Sequence, residues 1–245
     1  MLAVKDEYVA NNYPGYSAPQ PKEGQNCLDL VEVEQGHGSK VKMDYIPVMY
    51  KHNRNLVLPE GVPEGAMYVR EDGLTIIDPE KAKGCKAIYE AMKDQGVYWN
   101  EELQLPQIYT LDAHRMDEGE KLPRCVESCP TQAMHWGDLE DPESDVSKFI
   151  AEHEGEIEDY MPEEGADYVV RYYKLPKPFI AGEVMLCDSA DCVEGAEVTC
   201  KCCCGQAAET VTDFFGDFEF KGLKKGGKYE ITASVEGYQS KTVTV

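Results

Sequence analysis

Cys125 and Cys129 are the first residues whose type and spacing suggest chemistry. PRCVESCP, residues 123 to 130, carries Cys-x-x-x-Cys-Pro, the spacing with which a thiolate motif for a 4Fe–4S cluster ends. A cubane needs four thiolates, and the Cys followed by Pro serves the other cluster of a pair, so these two sulfurs would belong to two different clusters. Of the ten cysteines, six lie far away, in CDSADC and CKCCCG between residues 187 and 204. Thiolates suit Zn or Cu(I), which makes Cys187, Cys192, Cys200 and Cys202 a second candidate metal site. Strand alternation places Cys200, Cys202 and Cys204 on one face and Cys203 on the other, so the group does not converge, and ordinary thiols in a reducing cytosol are the plainer reading. Disulfides are the third option. Cys27 and Cys85 stand alone, as small buried hydrophobes often do.

The elements that must position these residues divide near residue 176. In residues 1–175, DGLTIIDPEKAKGCKAIYEAMK predicts a strand at Leu74 to Ile77 and a helix from Pro79 through Met92, with Asp78 as cap and Pro79 at the first helical position. VYWN predicts a second short strand, and strand, helix and strand with loop-rich insertions suit a ferredoxin-like α+β unit. In residues 176–245, GEVMLC, AEVTCKC, DFEFKGL, KYEITASV and SKTVTV are short alternating or β-branched runs separated by EG, FFGD, KKGG and EGY, which predicts a small antiparallel β-sandwich. These runs resemble the carboxypeptidase-regulatory or transthyretin-like modules. That resemblance implies a turn at Gly216, with Tyr229 and Tyr238 as core or edge aromatics.

Composition excludes several classes of function. The 46 acidic against 24 basic residues give a formal charge of −22, which argues against nucleic acid and against an anionic membrane as partner. The most acidic stretch, residues 140 to 168, reads as a solvated linker with a helical core at Val146 to His153. A docking surface for a basic partner is its alternative. No apolar run is long enough to span a membrane. The start, MLAVKDEYVANNYPGY, reaches acid too early for a signal peptide, so the chain reads as cytoplasmic. No Ser-His-Asp order, phosphate loop or paired-carboxylate arrangement stands out, and no catalytic residue is assigned. His52 and His114 read as packing residues and His37, in GHGS, as exposed.

Six segments, KDEYVANNYPGYSAPQP, DYIPVMYKHNRN, AMYVREDGLTIIDPEKAKG, GVYWNEELQLPQ, DAHRMDEG and PRCVESCPTQA, resemble in order and spacing the ferredoxin-type iron–sulfur small subunits of molybdopterin oxidoreductases. The resemblance covers nearly the whole chain and is strongest to a transhydroxylase branch that also carries a β-sandwich after the ferredoxin-like part. It implies four cysteine motifs. Onto this sequence the first motif ends at Val4, the second falls at Tyr50, Asn53 and Leu58, the third at Met92-Lys93, and the fourth opens at Tyr109 and Asp112 before Cys125 and Cys129. The expected fold class is therefore α+β, a degenerate two-lobed ferredoxin-like domain (1–175) followed by the β-sandwich (176–245).

With cysteine missing at all of these places except Cys125 and Cys129, the expectation is that this chain holds no cofactor, the molybdopterin lying in a partner. Tyr50, Asn53, Leu58, Met92, Tyr109 and Asp112 are expected to fill the vacated spaces, the apolar ones buried. The function expected is a non-catalytic small subunit that docks to and stabilises a large molybdopterin-containing subunit of the dimethyl-sulfoxide-reductase class, with the electron relay lost. A redox-neutral transhydroxylase would tolerate that loss. One alternative is a working 4Fe–4S electron-transfer subunit with a reduced cluster set, for instance on Cys27, Cys85, Cys125 and Cys129. Another is a stand-alone acidic structural or assembly protein.

Overall fold

A computed structural model describes every residue except Ser39, Cys203, Cys204 and Gln206. The reading of Cys203 and Cys204 as facing opposite ways thus lies outside the described residues. In chain order the elements are α1 (Leu2–Tyr8), β1 (Leu28–His37), β2 (Lys40–Met49), β3 (Met67–Val69), β4 (Thr75–Ile77), α2 (Lys86–Met92), β5 (Tyr98–Asn100), β6 (Leu105–Gln107), α3 (Ala113–Asp117), α4 (Arg124–Glu127) and α5 (Asp145–Glu152). They continue with β7 (Ile157–Glu158), β8 (Tyr172–Tyr173), β9 (Ile180–Glu183), β10 (Glu197–Cys202), β11 (Ala207–Val211), β12 (Asp217–Phe220), β13 (Tyr229–Ser234) and β14 (Lys241–Thr244). No helix among the described residues is long and apolar enough to cross a membrane.

The chain forms two compact units: Met1–Val31 with Ile46–Leu175, and Glu32–Tyr45 with Pro176–Val245. The division after Leu175 falls where composition changes, but the tip of the β1–β2 ribbon belongs to the second unit. There Lys40 pairs with Asp217, Lys42 pairs with Glu219, and the Lys42 ammonium sits over the Phe179 ring. A two-stranded ribbon alone is marginal in water, so these contacts with β12 are what hold it.

In the first unit the strands pair as small antiparallel hairpins, β3 with β4, β5 with β6 and β7 with β8. The helix expected from Pro79 is shorter than its sequence suggests. Residues 79 to 84 form turns, with the Asp78 carboxylate accepting from the Glu80 and Lys81 amides, and α2 starts only at Lys86. Gly84, in the left-handed region at φ +78°, is the break. Two cores result. One gathers Val4, Tyr8, Cys27, Leu28, Leu74, Ile76, Tyr109, Leu111, Ala113 and Cys125. The other gathers Tyr50, Ala66, Met67, Ile77, Ala82, Ile88, Met92, Val97, Leu105 and Ile108.

In the second unit β11, β10, β13 and β14 form a four-stranded antiparallel sheet in that order, and β9 pairs with β12. Alternation along β10 and β13 points Val198, Cys200, Tyr229 and Ile231 inward against Phe220. Gly216, at φ +78°, makes the turn before β12; a Cβ there would meet the Val184 carbonyl oxygen at 2.7 Å, so only glycine fits. Tyr229 is buried, whereas Tyr238 is 48% exposed.

Candidate functional site

The place of the fourth motif is built where α1, α3 and α4 meet. Leu111 and Asp112 are consecutive left-handed residues, φ 50° and 56°, and this tight turn aims the Asp112 carboxylate inward ahead of α3. Asp112 is fully buried. Its Oδ2 accepts from the Tyr109 hydroxyl at 2.9 Å and from the Arg124 backbone amide at 2.6 Å. The Asp112 amide donates to the Tyr8 hydroxyl at 3.2 Å, which also bonds the Thr110 hydroxyl at 2.7 Å. Thus the two residues standing for the motif's opening pair bond each other and tie the first turn of α4, which carries Cys125. Val4, where the first motif ends, lies in the same core. Burial pushes the Cys125 thiol up to about 11 and the Tyr109 phenol well above its ordinary value. Cys129 differs: a hydrogen bond from the Thr131 hydroxyl lowers its thiol.

Around this core runs an ionic shell that spans more than a hundred residues of sequence. Glu7 on α1 accepts from Arg124 Nε at 2.7 Å, from the Tyr13 hydroxyl at 2.8 Å and pairs with His114 Nε2 at 3.1 Å. Burial opposes its charge, yet the bonds from Arg124, His114 and Tyr13 outweigh it and hold the carboxyl at about 2. Asp117 takes both terminal nitrogens of Arg70 and the Tyr16 hydroxyl, and the Arg70 bond holds its carboxyl at about 2. Sequence reasoning assigned none of Glu7, Arg124, Asp117 and Arg70 a role. Only the KDEY segment hinted at Glu7, since such long-range pairs leave no local pattern.

Of the second and third motif places, Tyr50 and Met92 fall in the other core. Tyr50 and Met92 are buried together there, and burial raises the Tyr50 phenol to about 12. His52, wholly buried at φ 53°, accepts the Thr75 amide on Nδ1 at 2.9 Å, and burial depresses its pKa to about 3, so it stays neutral. Asn53 is a turn residue: its Oδ1 accepts from the amides of Asn55 and Asp167. Leu58 departs from expectation. It is 39% exposed beside Val57 at 83%, while its neighbours Leu56 and Val62 are the loop residues that pack against the second core.

Among the described residues the cysteines are not gathered into a metal-binding group. Cys27 and Cys125 share the first core, Cys85 packs against the second and Cys129 is partly exposed. In the second unit Cys200 faces the core, while Cys187 and Cys192 are exposed and the Cys192 thiol donates to the Glu183 carboxylate at 3.1 Å. Cys202 follows on β10 at a half-buried position. Among the described residues no three His, Cys, Asp or Glu side chains are placed to hold a metal ion together.

Comparison with known proteins gives this geometry its setting. Residues 41–139 match the model of a 4Fe–4S dicluster domain. The chain is 33% identical over 243 residues to the pyrogallol hydroxytransferase small subunit of Pelobacter acidigallici, covering 96% of this chain and 85% of that one. It is 30% identical over 156 residues to a tetrathionate reductase subunit of Salmonella typhimurium, covering 64% of this chain and 62% of that one. It is 32% identical over 151 residues to a Halobacterium salinarum protein described as an iron–sulfur subunit of dimethyl sulfoxide reductase, covering 55% and 56% respectively.

These matches correct the expectation that the chain has no cofactor: a dicluster domain and iron–sulfur relatives point to 4Fe–4S. The side chains at the matched positions do not fit a pair of such clusters. Four thiolates per cubane are required, and these positions offer thiolates only at Cys125 and Cys129. Buried phenols whose pKa values are raised and a neutral imidazole offer no thiolate in their place. No step of chemistry is therefore routed through a cluster. With 33% identity over 96% of this chain and 85% of the Pelobacter relative, and the dicluster match over residues 41–139, the chain belongs to the family of iron–sulfur small subunits of molybdopterin oxidoreductases.

Proposed function

We propose that this chain is a non-catalytic small subunit that docks to and stabilises a large molybdopterin-containing subunit of the dimethyl-sulfoxide-reductase class in the cytoplasm. We further propose that it does not continue an electron relay between that subunit and an outside donor. The observation that supports this is the filling of the ligand places. Val4, Tyr50, Met92, Tyr109 and Asp112 are buried, and Tyr109 and Asp112 hydrogen-bond to each other, so these places are taken by side chains that pack and that offer no thiolate for continuing a relay. The name of the Pelobacter relative, a hydroxytransferase, supports a redox-neutral partner reaction, for which current need not leave the active site. The fold read as a two-lobed ferredoxin-like domain followed by a β-sandwich is part of the same proposal.

The contribution of such a subunit is mass action: a partner that binds only the folded large subunit stabilises it in proportion to the logarithm of its concentration over Kd. The test is copurification with elemental analysis. Molybdenum or tungsten should travel with the pair, and the large subunit should melt lower without this chain. Dissociation of the two, or turnover that depends on an external electron donor reducing this chain, overturns the proposal. A second reading, a working 4Fe–4S subunit, is favoured by the match to the dicluster model. It requires about four irons per chain and absorption near 400 nm.

A further inference from the structure

Four tyrosines of the first unit lie in ring contact from the surface to the core. Tyr16 reaches the edge of His114, ring centroids 6.1 Å apart; Tyr13 stacks on His114 at 3.7 Å; Tyr8 touches Tyr13 at 5.9 Å and Tyr109 at 5.8 Å. Tyr16 is partly exposed, while Tyr8 and Tyr109 are wholly buried. Three of the four phenols rest on a carboxylate: Tyr16 on Asp117, Tyr13 on Glu7 and Tyr109 on Asp112.

We propose that this line carries a one-electron oxidising equivalent between the surface and the core, with Tyr109 as its resting place. A phenol that loses an electron becomes a strong acid, so oxidation proceeds where the proton has an acceptor already in hydrogen-bond contact. An oxygen-centred radical of the oxyl or peroxyl class takes an electron from Tyr16 and becomes its anion; the phenolic proton passes to the Asp117 carboxylate, leaving a neutral tyrosyl radical and a carboxylic acid. Tyr13 then supplies the electron through the His114 face. Its proton goes to Glu7, and Tyr16 recovers its own from Asp117. The last move takes an electron from Tyr109, with its proton going to Asp112 and Glu7 returning one to Tyr13. Tyr8, whose hydroxyl faces the Thr110 hydroxyl and the Asp112 amide, bridges the rings without a carboxylate of its own. Electrostatics set the direction. Glu7 and Asp117 are paired with Arg124 and Arg70, whereas Asp112 has no ion-pair partner among the described residues, so a positive equivalent is best stabilised beside it.

The test is flash photolysis of the full chain with a ruthenium polypyridyl and a cobalt(III) ammine as sacrificial acceptor, followed by freeze-quench electron paramagnetic resonance. A slowly decaying tyrosyl signal is expected in the parent and in Tyr45→Phe, an exposed tyrosine off the line. It should be lost in Tyr109→Phe, the resting place, and in Tyr13→Phe, which leaves Tyr109 in place but breaks the approach. Circular dichroism checks each fold. If Tyr109→Phe does not fold, the half-buried Tyr13→Phe decides alone. A parent with no slow signal, a slow signal that survives Tyr13→Phe or Tyr109→Phe, or one lost equally in Tyr45→Phe, overturns the proposal.

Discussion

Replacing Glu7 with Gln tests the ionic shell that closes the first core. The folded carboxyl titrates at about 2 rather than 4.5. At about 1.4 kcal/mol per tenfold in proton affinity, that is roughly 3 kcal/mol in favour of the ionised form. The Glu7 side chain is 11% exposed but its main partner, Arg124, is 37% exposed, so solvent screening leaves about 1 to 2 kcal/mol. A depressed carboxyl contributes fully above its unfolded value and loses its contribution as the pH falls toward the folded one. The window is therefore from 4.5 down to about 2. In urea unfolding of the whole chain, Glu7→Gln should lower the midpoint near neutral pH by about 0.5 M. Near pH 3 more than half of that gap should close. His52, held neutral by burial with its pKa at about 3, also costs stability as the pH drops below 6.5, but equally in parent and variant, so it cancels in the difference. A gap that stays the same at both pH values, or that is absent near neutrality, refutes the assignment of Glu7 as an ionised anchor.

Other perturbations reach the remaining features. Restoring the opening pair with Tyr109→Cys and Asp112→Cys removes buried volume and the bonds to Arg124, so the iron-free double variant should be destabilised by about 3 to 5 kcal/mol. A melting temperature no lower than the parent's disproves that packing role. Met92→Ala, in the second core, should cost about 2 to 5 kcal/mol in chemical denaturation. Gly216→Ala forces a side chain into a left-handed turn against the Val184 carbonyl and should destabilise the second unit by at least about 1 kcal/mol, read as a lower melting temperature. By contrast Lys42→Gln, at a half-exposed ion pair, should change stability by less than about 1 kcal/mol.

Much of the second unit is legible in its residues, because alternation along β10, β12 and β13 states which side faces inward, and the burial of Cys200, Tyr229 and Ile231 follows from it. The burial of Tyr50, Met92 and Tyr109 is legible too, since an apolar or aromatic residue at a core position fills it, whereas the full burial of the charged Asp112 is not. Leu58 escapes that logic because Leu56 and Val62 supply the loop's contacts with the core instead. The helix ahead of Lys86 is overread because apolar spacing continues through Ala82 while Gly84 breaks the backbone. Least visible are Glu7 with Arg124 and Tyr16 with Asp117, pairs formed by chain reversal rather than by spacing.

The ribbon of β1 and β2 has a consequence for how the chain can be divided. The polypeptide leaves the first unit at Val31, returns at Ile46 and departs again after Leu175, so a single cut after Leu175 removes β12 and Phe179 yet leaves Glu32–Tyr45 behind. Those fourteen residues would keep Val41, Met43 and Tyr45 exposed on one strand while Lys40 and Lys42 lose their carboxylates. An orphaned ribbon of that kind offers bare strand edges to its copies, so a shortened first unit would tend to self-associate unless the tip is trimmed along with the tail.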